Sequence, residues 1–493
     1  MVKGQTQVDK LYAAALAEQH AGRWREAEAG YRRVLAQAPN LAEAHTGLGN
    51  VLQALGRVPE AIDCYRSALA AKPTHVTAQY NLGIALAAIG RRDEAIDAYR
   101  AALRLNANLF QAHANLGVLL HDANDLDGAE NCYRSALSIN PNDVETTNNA
   151  AVLLRDRGRL AEAAPLFARA LMLKPQSPEI RRNFALLHLL NQDYARGWEA
   201  YEWRWKCADF AGAVRPFTAP RWTGEALQGG KLLVWSEQGL GDEILFAGMA
   251  NDLVARGVNT MWEADPRLVA LLQRSFPAIE FLPRGAALPA VAAQIPAGSL
   301  GSILRASADA FPKDRSGYLK VDEARRAQFR ARLALQGGQR AVGISWRSRN
   351  QVFGHHKSST LREWANLLAR PDAVFVDLQY GDTADERGAM GRTLVHLDDL
   401  DLTTDIDGVA ALIAACDEVV TVSNTTAHLA GALGIPTSVL VPYAGGKLWY
   451  WGHQISTPTW YPTVRLFRQE RAGDWTGLLD TVANAWHAGS TPA

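Results

Sequence analysis

Apolar positions in the first 205 residues recur at helical spacing inside a longer period of 34. Gly22, Gly56, Gly90 and Gly158 fall on one series with that step, and Asn124 fills the missing place. Tyr31, Tyr65, Tyr99, Tyr133 and Phe167 share the step, as do Ala27, Ala61, Ala95, Ala129 and Ala163. Pro39, Pro73, Pro141 and Pro175 form a further series, with Ala107 in its gap. Registers that agree on one period define a repeat, and each repeat predicts a pair of helices. The first helix carries Leu-Gly (Leu48-Gly49, Leu82-Gly83, Leu116-Gly117), where the small residue permits close approach. Gly or Asn at the turn tolerates left-handed backbone. The second helix carries the Ala and the aromatic ring, and proline then stops it. Five clear units run from about residue 8 to 175, and a degenerate sixth continues to about 205 with Phe184, Ala185, Gly197 and Tyr201 in register.

After Trp205 the pattern changes. Residues 206–230, with Pro216, Pro220, Gly224 and Gly229-Gly230, read as a linker. From Lys231, short apolar runs alternate with amphipathic helices. KLLVWS is a strand, GLGDEILFAGMANDLVARG a glycine loop opening a helix, NTMWEAD a strand and PRLVALLQRSF a helix. A second series runs through VGISWRS (342–348), FVDLQYGD (375–382), a helix at 407–415, EVVTVS, a helix at 425–434 and TSVLVP. Strand–helix–strand order predicts parallel, doubly wound sheets. The expected fold class is α + α/β: a helical solenoid at 1–205, a linker, and two Rossmann-like lobes at 231–338 and 339–493.

Charge and cysteine content narrow the function classes. Lys+Arg and Asp+Glu both number 51, so no net field recommends nucleic acid as a partner. The four cysteines form no C-x-x-C or Cys/His spacing, which speaks against a zinc site or a secreted disulfide scaffold. Met1 to Lys10 lacks the apolar core of a signal peptide, and no apolar run approaches the ~20 residues of a membrane span. A cytoplasmic location, no transmembrane segment and no metal are expected.

The 34-residue pattern is the signature of tetratricopeptide (TPR) repeats. VWSEQGLGDEILFA (234–247) and TVSNTTAHLAGALGIP (421–436), followed by WYPTVRLFRQ (460–469), resemble TPR-fused glycosyltransferases related to the bacterial heptosyltransferases. The likeness covers roughly 230–470. It implies a GT-B fold, a nucleotide-sugar donor on the second lobe, an acceptor on the first, no cofactor or metal, and inversion at the sugar carbon. Flagellin glycosyltransferases of some bacteria share this layout, with a TPR region that engages flagellin, so the implied acceptor is a protein.

Glycosyl transfer needs a partner for the acceptor hydroxyl, stabilisation of the departing diphosphate, and a pocket. Helix N-termini and cationic side chains suit the diphosphate. The helix beginning near Thr425 offers the hydroxyls and N–H groups of Thr425 and Thr426, with His428 one turn in, at a strand edge where Rossmann-like lobes bind ligands. The competing description is a plain helix cap and a core histidine. The resemblance assigns Asp242, after Gly239 and Gly241, as catalytic base, with Gly241 beside the donor; a helix-capping aspartate is the alternative. Arg347 and Lys357, in a loop with His355 and His356, would supply cations, unless they are surface residues. Gln379 and Tyr380 are placed to meet the base or ribose. Tyr443, Trp449 and Trp451 either wall the sugar or pack. Many relatives carry Asp-Thr where this chain has Ser423-Asn424, so heptose recognition does not transfer; Asn424 is counted with the donor site.

Asn81, Asn115, Asn149 and Asn183 recur at step 34 on first helices. An amide can donate to a carbonyl and accept from an N–H, so a ladder of them would grip an extended acceptor peptide. It is similar to the ladder in O-GlcNAc transferases, although Asn is also common at this place in TPRs. Two other functions fit the sequence: a heptosyltransferase-like enzyme acting on a lipopolysaccharide-type glycan, and a scaffold whose transferase half has decayed.

Overall fold

The computed structural model describes residues 2–350, 354–390, 394–444 and 448–487. Packing divides the chain into two compact units, 1–154 with 168–174, and 155–167 with 175–493.

The first unit is a series of antiparallel helix pairs, beginning with Val2–His20 and Trp24–Gln37 and continuing through Phe110–Asp122 and Leu126–Ile139. The repeat's chemistry explains the packing. A Cβ on Gly49, Gly83 or Gly117 would come within 2.5, 2.6 and 2.6 Å of the rings of Tyr65, Tyr99 and Tyr133. Each glycine thus leaves room for the buried ring sixteen residues on. Gly22, Gly56 and Gly90 adopt φ of 71, 77 and 76°, and Asn124 stands in at 65°, as the turn series requires.

The second unit holds two parallel sheets. The first contains β1 (Leu232–Trp235), β2 (Thr260–Ala264), β3 (Glu280–Pro283) and β4 (Ala293–Pro296), in the order β3-β2-β1-β4. The other contains β5 (Arg340–Ser345), β6 (Ala373–Asp377), β7 (Glu418–Val422), β8 (Thr437–Val441) and β9 (Val464–Arg468), in the order β6-β5-β7-β8-β9. Every pairing is parallel; Leu233, for example, sits opposite Met261 on one side and Gln294 on the other. The central strands are buried along almost their whole length because helices cover both faces. Strand order reverses between β1 and β4 and between β5 and β7, so the loops leaving β1 and β5 open onto crevices.

The structure departs from the sequence expectations in three places. The helix expected over 239–257 divides into Leu240–Ala247 and Ala250–Ala255. Tyr318 donates its hydroxyl to the Ile244 carbonyl at 2.7 Å, and the Gly248 amide bonds to Leu245 instead. The linker is also anchored: Trp222 is buried, its amide bonds to Gln294 O at 2.9 Å, and Arg221 extends the sheet beside β4. Third, the sixth hairpin, Pro178–Leu190 and Tyr194–Tyr201, belongs to the unit with the sheets although its repeat pattern continues that of the solenoid. Trp198 explains this. It donates to Arg305 O at 2.9 Å and fills the space beside Gly301, where a Cβ would lie 2.4 Å from its ring. Among the described residues, no helix is long and apolar enough to cross a membrane.

Candidate active site

Loops at the carboxyl ends of β1, β5, β6, β7 and β8, with one face of the helix Pro178–Leu190, surround a cavity of about 910 Å³. Gly241, Asp242, Lys357, Tyr380, Asn424, Thr425, Thr426 and His428 all line it, as does Asn183.

Asp242 is the third residue of the helix Leu240–Ala247, whose N-cap is Gly239. Its carboxylate accepts the Gly239 amide, the reach-back of an N3 acid to its cap. Capping and facing the cavity are therefore compatible. Burial pushes the Asp242 carboxyl up to about 6; the nearby Glu237 adds to this, while the Gly239 amide and Lys357 oppose it. Lys357 is buried rather than solvated. Burial brings its ammonium down to about 8 against the opposing pull of Asp242.

The helix Thr425–Ala432 starts on the other side of the cavity. Asn424 caps it: Oδ1 accepts the amides of Thr426 at 3.0 Å and Ala427 at 3.4 Å. The Thr426 amide, expected to be open to a ligand, is thus taken by the cap, and Thr425 and Thr426 contribute to the cavity wall. Asn424 Nδ2 donates to Ser345 Oγ at 2.8 Å and to Arg347 O at 3.0 Å, stitching the loop after β7 to the loop after β5. His428 is buried with Nδ1 2.9 Å from the Tyr461 hydroxyl, and its ring stacks on Trp451 at 5.4 Å. Burial, then Lys357, depress it to about 3, so it meets a ligand as a neutral imidazole and not as a cation.

Arg347, Gln379 and Tyr443 are not brought into the wall. The Arg347 guanidinium reaches Asp382 O at 2.9 Å and Glu386 at 2.6 Å. Gln379 Oε1 accepts the amides of Trp346 at 2.9 Å and Arg347 at 2.7 Å, shaping the loop after β5 from within. The Tyr443 amide bonds to Gln469 Oε1 at 3.0 Å. Trp449 lines the cavity, whereas Trp451 donates to Ser423 Oγ at 2.8 Å behind it. In the solenoid, Asn81 donates to Asn50 at 2.7 Å, Asn115 to the hydroxyls of Tyr80 and Tyr99 at 3.2 and 3.4 Å, and Asn149 accepts from Asn148 at 3.4 Å.

Sequence reasoning missed a buried pair. Arg204 and Glu237 are 0% and 1% exposed and bond directly. The only signal was a charged residue set among the aromatics of GWEAYEWRW. Arg155, Arg182, Arg267 and Arg349 also line the cavity; Arg155 pairs with Asp156, Arg182 with Asp209 and Arg267 with Asp265.

Tetratricopeptide-repeat family models match residues 46–110, 80–144 and 148–202, and, for a second model, 7–74. The chain therefore contains TPR repeats, the last of which is the hairpin at the cavity. Protein FlbA of Caulobacter vibrioides is 36% identical over 318 residues, 59% of this chain and 52% of FlbA. The chain thus spans about half the length of that relative, and the match is too long to be confined to the repeats. Among solved structures, MamA is 26% identical with a TM-score of 0.32, covering 33% of this chain and 95% of MamA. PilF of Pseudomonas aeruginosa is 21% identical with a TM-score of 0.38, covering 41% of this chain and 92% of PilF.

Proposed function

We propose that this chain is a glycosyltransferase of GT-B type that moves a sugar from a nucleotide-linked donor to a hydroxyl of a protein engaged by the TPR array. The observation that carries the proposal is the meeting of two helix starts, each following a strand next to a reversal of sheet order, around one cavity that also holds Asp242 and Lys357. Helix N-termini and Lys357 suit a diphosphate, and a carboxylate with raised proton affinity suits an acceptor hydroxyl. In the transfer step the acceptor oxygen bonds to the anomeric carbon as the bond from that carbon to the diphosphate oxygen breaks. The hydroxyl proton passes to Asp242, and the nucleoside diphosphate leaves with the bonding pair, its charge met by Lys357. TPR repeats support a protein or peptide partner. Flagellin, which the family resemblance offers, is the first acceptor to try.

A calorimetric screen of nucleoside diphosphates and nucleotide sugars tests the donor half, comparing the wild type with Lys357→Met. Saturable binding of one donor, weakened in the variant, is expected. Absence of binding by every nucleotide would sink the transferase reading and leave a TPR scaffold.

A further inference from the structure

Arg204 lies in the short helical stretch Glu202–Lys206 that follows the sixth hairpin. Its Nε and Nη2 donate to the two carboxylate oxygens of Glu237 at 2.9 and 2.8 Å. Nη2 also donates to Ser299 Oγ at 2.8 Å, and Nη1 to Tyr201 O and Glu202 at 3.1 Å. The guanidinium lies 4.3 and 4.5 Å from the ring centres of Tyr201 and Trp205. Glu237 in turn accepts the Gly298 amide at 2.8 Å. Glu237 and Gly298 lie just beyond β1 and β4, the two strands between which the first sheet reverses order. The next residue, Gln238, donates to the Tyr201 hydroxyl at 3.0 Å. One segment at the end of the TPR array therefore grips both sides of the crevice and the loop that leads into Asp242. Apolar residues of equal volume often stabilise a fold as well as a buried ion pair does, so stability alone is a weak reason for this one.

We propose that Arg204 is a positioning residue for the Gln238–Asp242 loop, acting through Glu237 to fix where the Asp242 carboxylate stands in the cavity. This rests on the nucleotide-sugar reading of the same cavity. It makes the terminal TPR segment part of the catalytic body rather than a detachable recognition arm. The groups facing Asp242 are Glu237, Lys357, the hydroxyls of Tyr201, Tyr450 and Tyr461, and the His428 ring beside Gly241. Arg204 pairs with Glu237, whose negative charge holds Asp242 up; removing the cation leaves that charge uncompensated, and removing Glu237 takes it away.

The test uses the full chain in four forms: Arg204→Met, Arg204→Lys, Glu237→Gln, and the Arg204→Met/Glu237→Gln pair. Asp242 is titrated by carbon NMR of labelled aspartate carboxyls, assigned with Asp242→Asn, and binding of UDP and GDP is followed by calorimetry. Arg204→Met is expected to raise the Asp242 midpoint by about one pH unit, and Glu237→Gln to lower it. The double variant returns it toward the wild type. Arg204→Lys keeps the midpoint but not the full affinity, because an ammonium cannot span both carboxylate oxygens as the planar guanidinium does. An Asp242 midpoint unmoved in the folded variants, with affinity unchanged, would overturn the proposal. If Arg204→Met does not fold, Arg204→Lys and Glu237→Gln carry the test. If the wild type binds neither nucleotide, the nucleotide-sugar reading loses its support, and the titration still decides what Arg204 does.

Discussion

A Cβ added to Gly241 would lie 2.9 Å from Cδ2 of His428. The helix that follows β1 and the helix that follows β7 thus meet at the cavity with room for only a hydrogen between them. Gly241 lies outside the left-handed region, so the site needs its small size and not its backbone freedom. The His428 ring has no retreat, because Tyr461 holds Nδ1 and the rings of Tyr450 and Trp451 stand 4.8 and 5.4 Å away. Gly241→Ala should therefore force the two helices apart, at about 1–3 kcal/mol of overpacking. Thermal unfolding should show a lower Tm, and calorimetry a weaker nucleoside diphosphate complex. An unchanged Tm would mean that the contact is looser than its geometry implies.

The pair Asp242 and Lys357 sets a pH window for transfer. Asp242 accepts a proton only when ionised, so the rate should rise through its pKa of about 6. Lys357 meets diphosphate charge only when protonated, so the rate should fall above about 8. A bell centred near neutrality follows, measured as initial rate against pH. Asp242→Asn should cost about 100-fold or more in rate. Lys357→Met should erase the alkaline limb. His428, depressed to about 3, should contribute no limb to the bell, and His428→Gln should leave both in place. A limb that vanished with His428→Gln would contradict this assignment.

Stability should respond to Asp242 with the opposite sense from activity. The folded-state pKa is raised, so the protonated carboxyl favours the native state. That contribution is complete below the unfolded value of about 4 and is lost as pH rises through the folded value. At pH 8 the wild type carries the cost of a partly buried anion, which Asp242→Asn removes. The variant should melt at a higher temperature than the wild type at pH 8 and at nearly the same temperature at pH 4. The gain is at most about 3 kcal/mol, reduced by loss of the counter-charge to Lys357 and by cavity water. A variant less stable at pH 8 would show that the Gly239 cap outweighs the desolvation.

What the sequence disclosed depends on whether a feature is local. The helix pairs were legible because a turn glycine and a buried ring each return at the same step, and local sterics require them there. The central strands were legible as apolar runs. β3 (EFLP) and β4 (AQIP) were not: β1 is equally short, but it is apolar throughout, whereas a charged or polar residue and a proline interrupt these two. In the site, the glycine loop before Asp242 and the helix start at Thr425 announced themselves locally. Gln379 and Arg347 did not, because sequence gives no side-chain direction, and both point at neighbouring backbone and side chains rather than at the cavity. Arg204 was hidden for a different reason: its partner lies 33 residues away, across a sheet that only the fold brings near.

Asn424 offers the sharpest test of local design, because one side chain both caps a helix and ties two loops together. An aspartate at 424 would keep the acceptor that caps the amides of Thr426 and Ala427. It would lose the Nδ2 donor to Ser345 Oγ and Arg347 O, and would turn a second acceptor oxygen toward the Arg347 carbonyl. A buried donor replaced by an acceptor facing an acceptor costs about 1–3 kcal/mol, and here it also loosens the tie between the loops after β5 and β7. Asn424→Asp should accordingly lower Tm at pH 8 and recover part of the loss near pH 4, where the new carboxyl can protonate and donate to one of the same oxygens. Asn424→Ala should lose both the cap and the tie, and should show no comparable recovery. Equal Tm losses for the aspartate variant at both pH values would indicate that the loops after β5 and β7 relax apart and do not rely on this side chain to hold them.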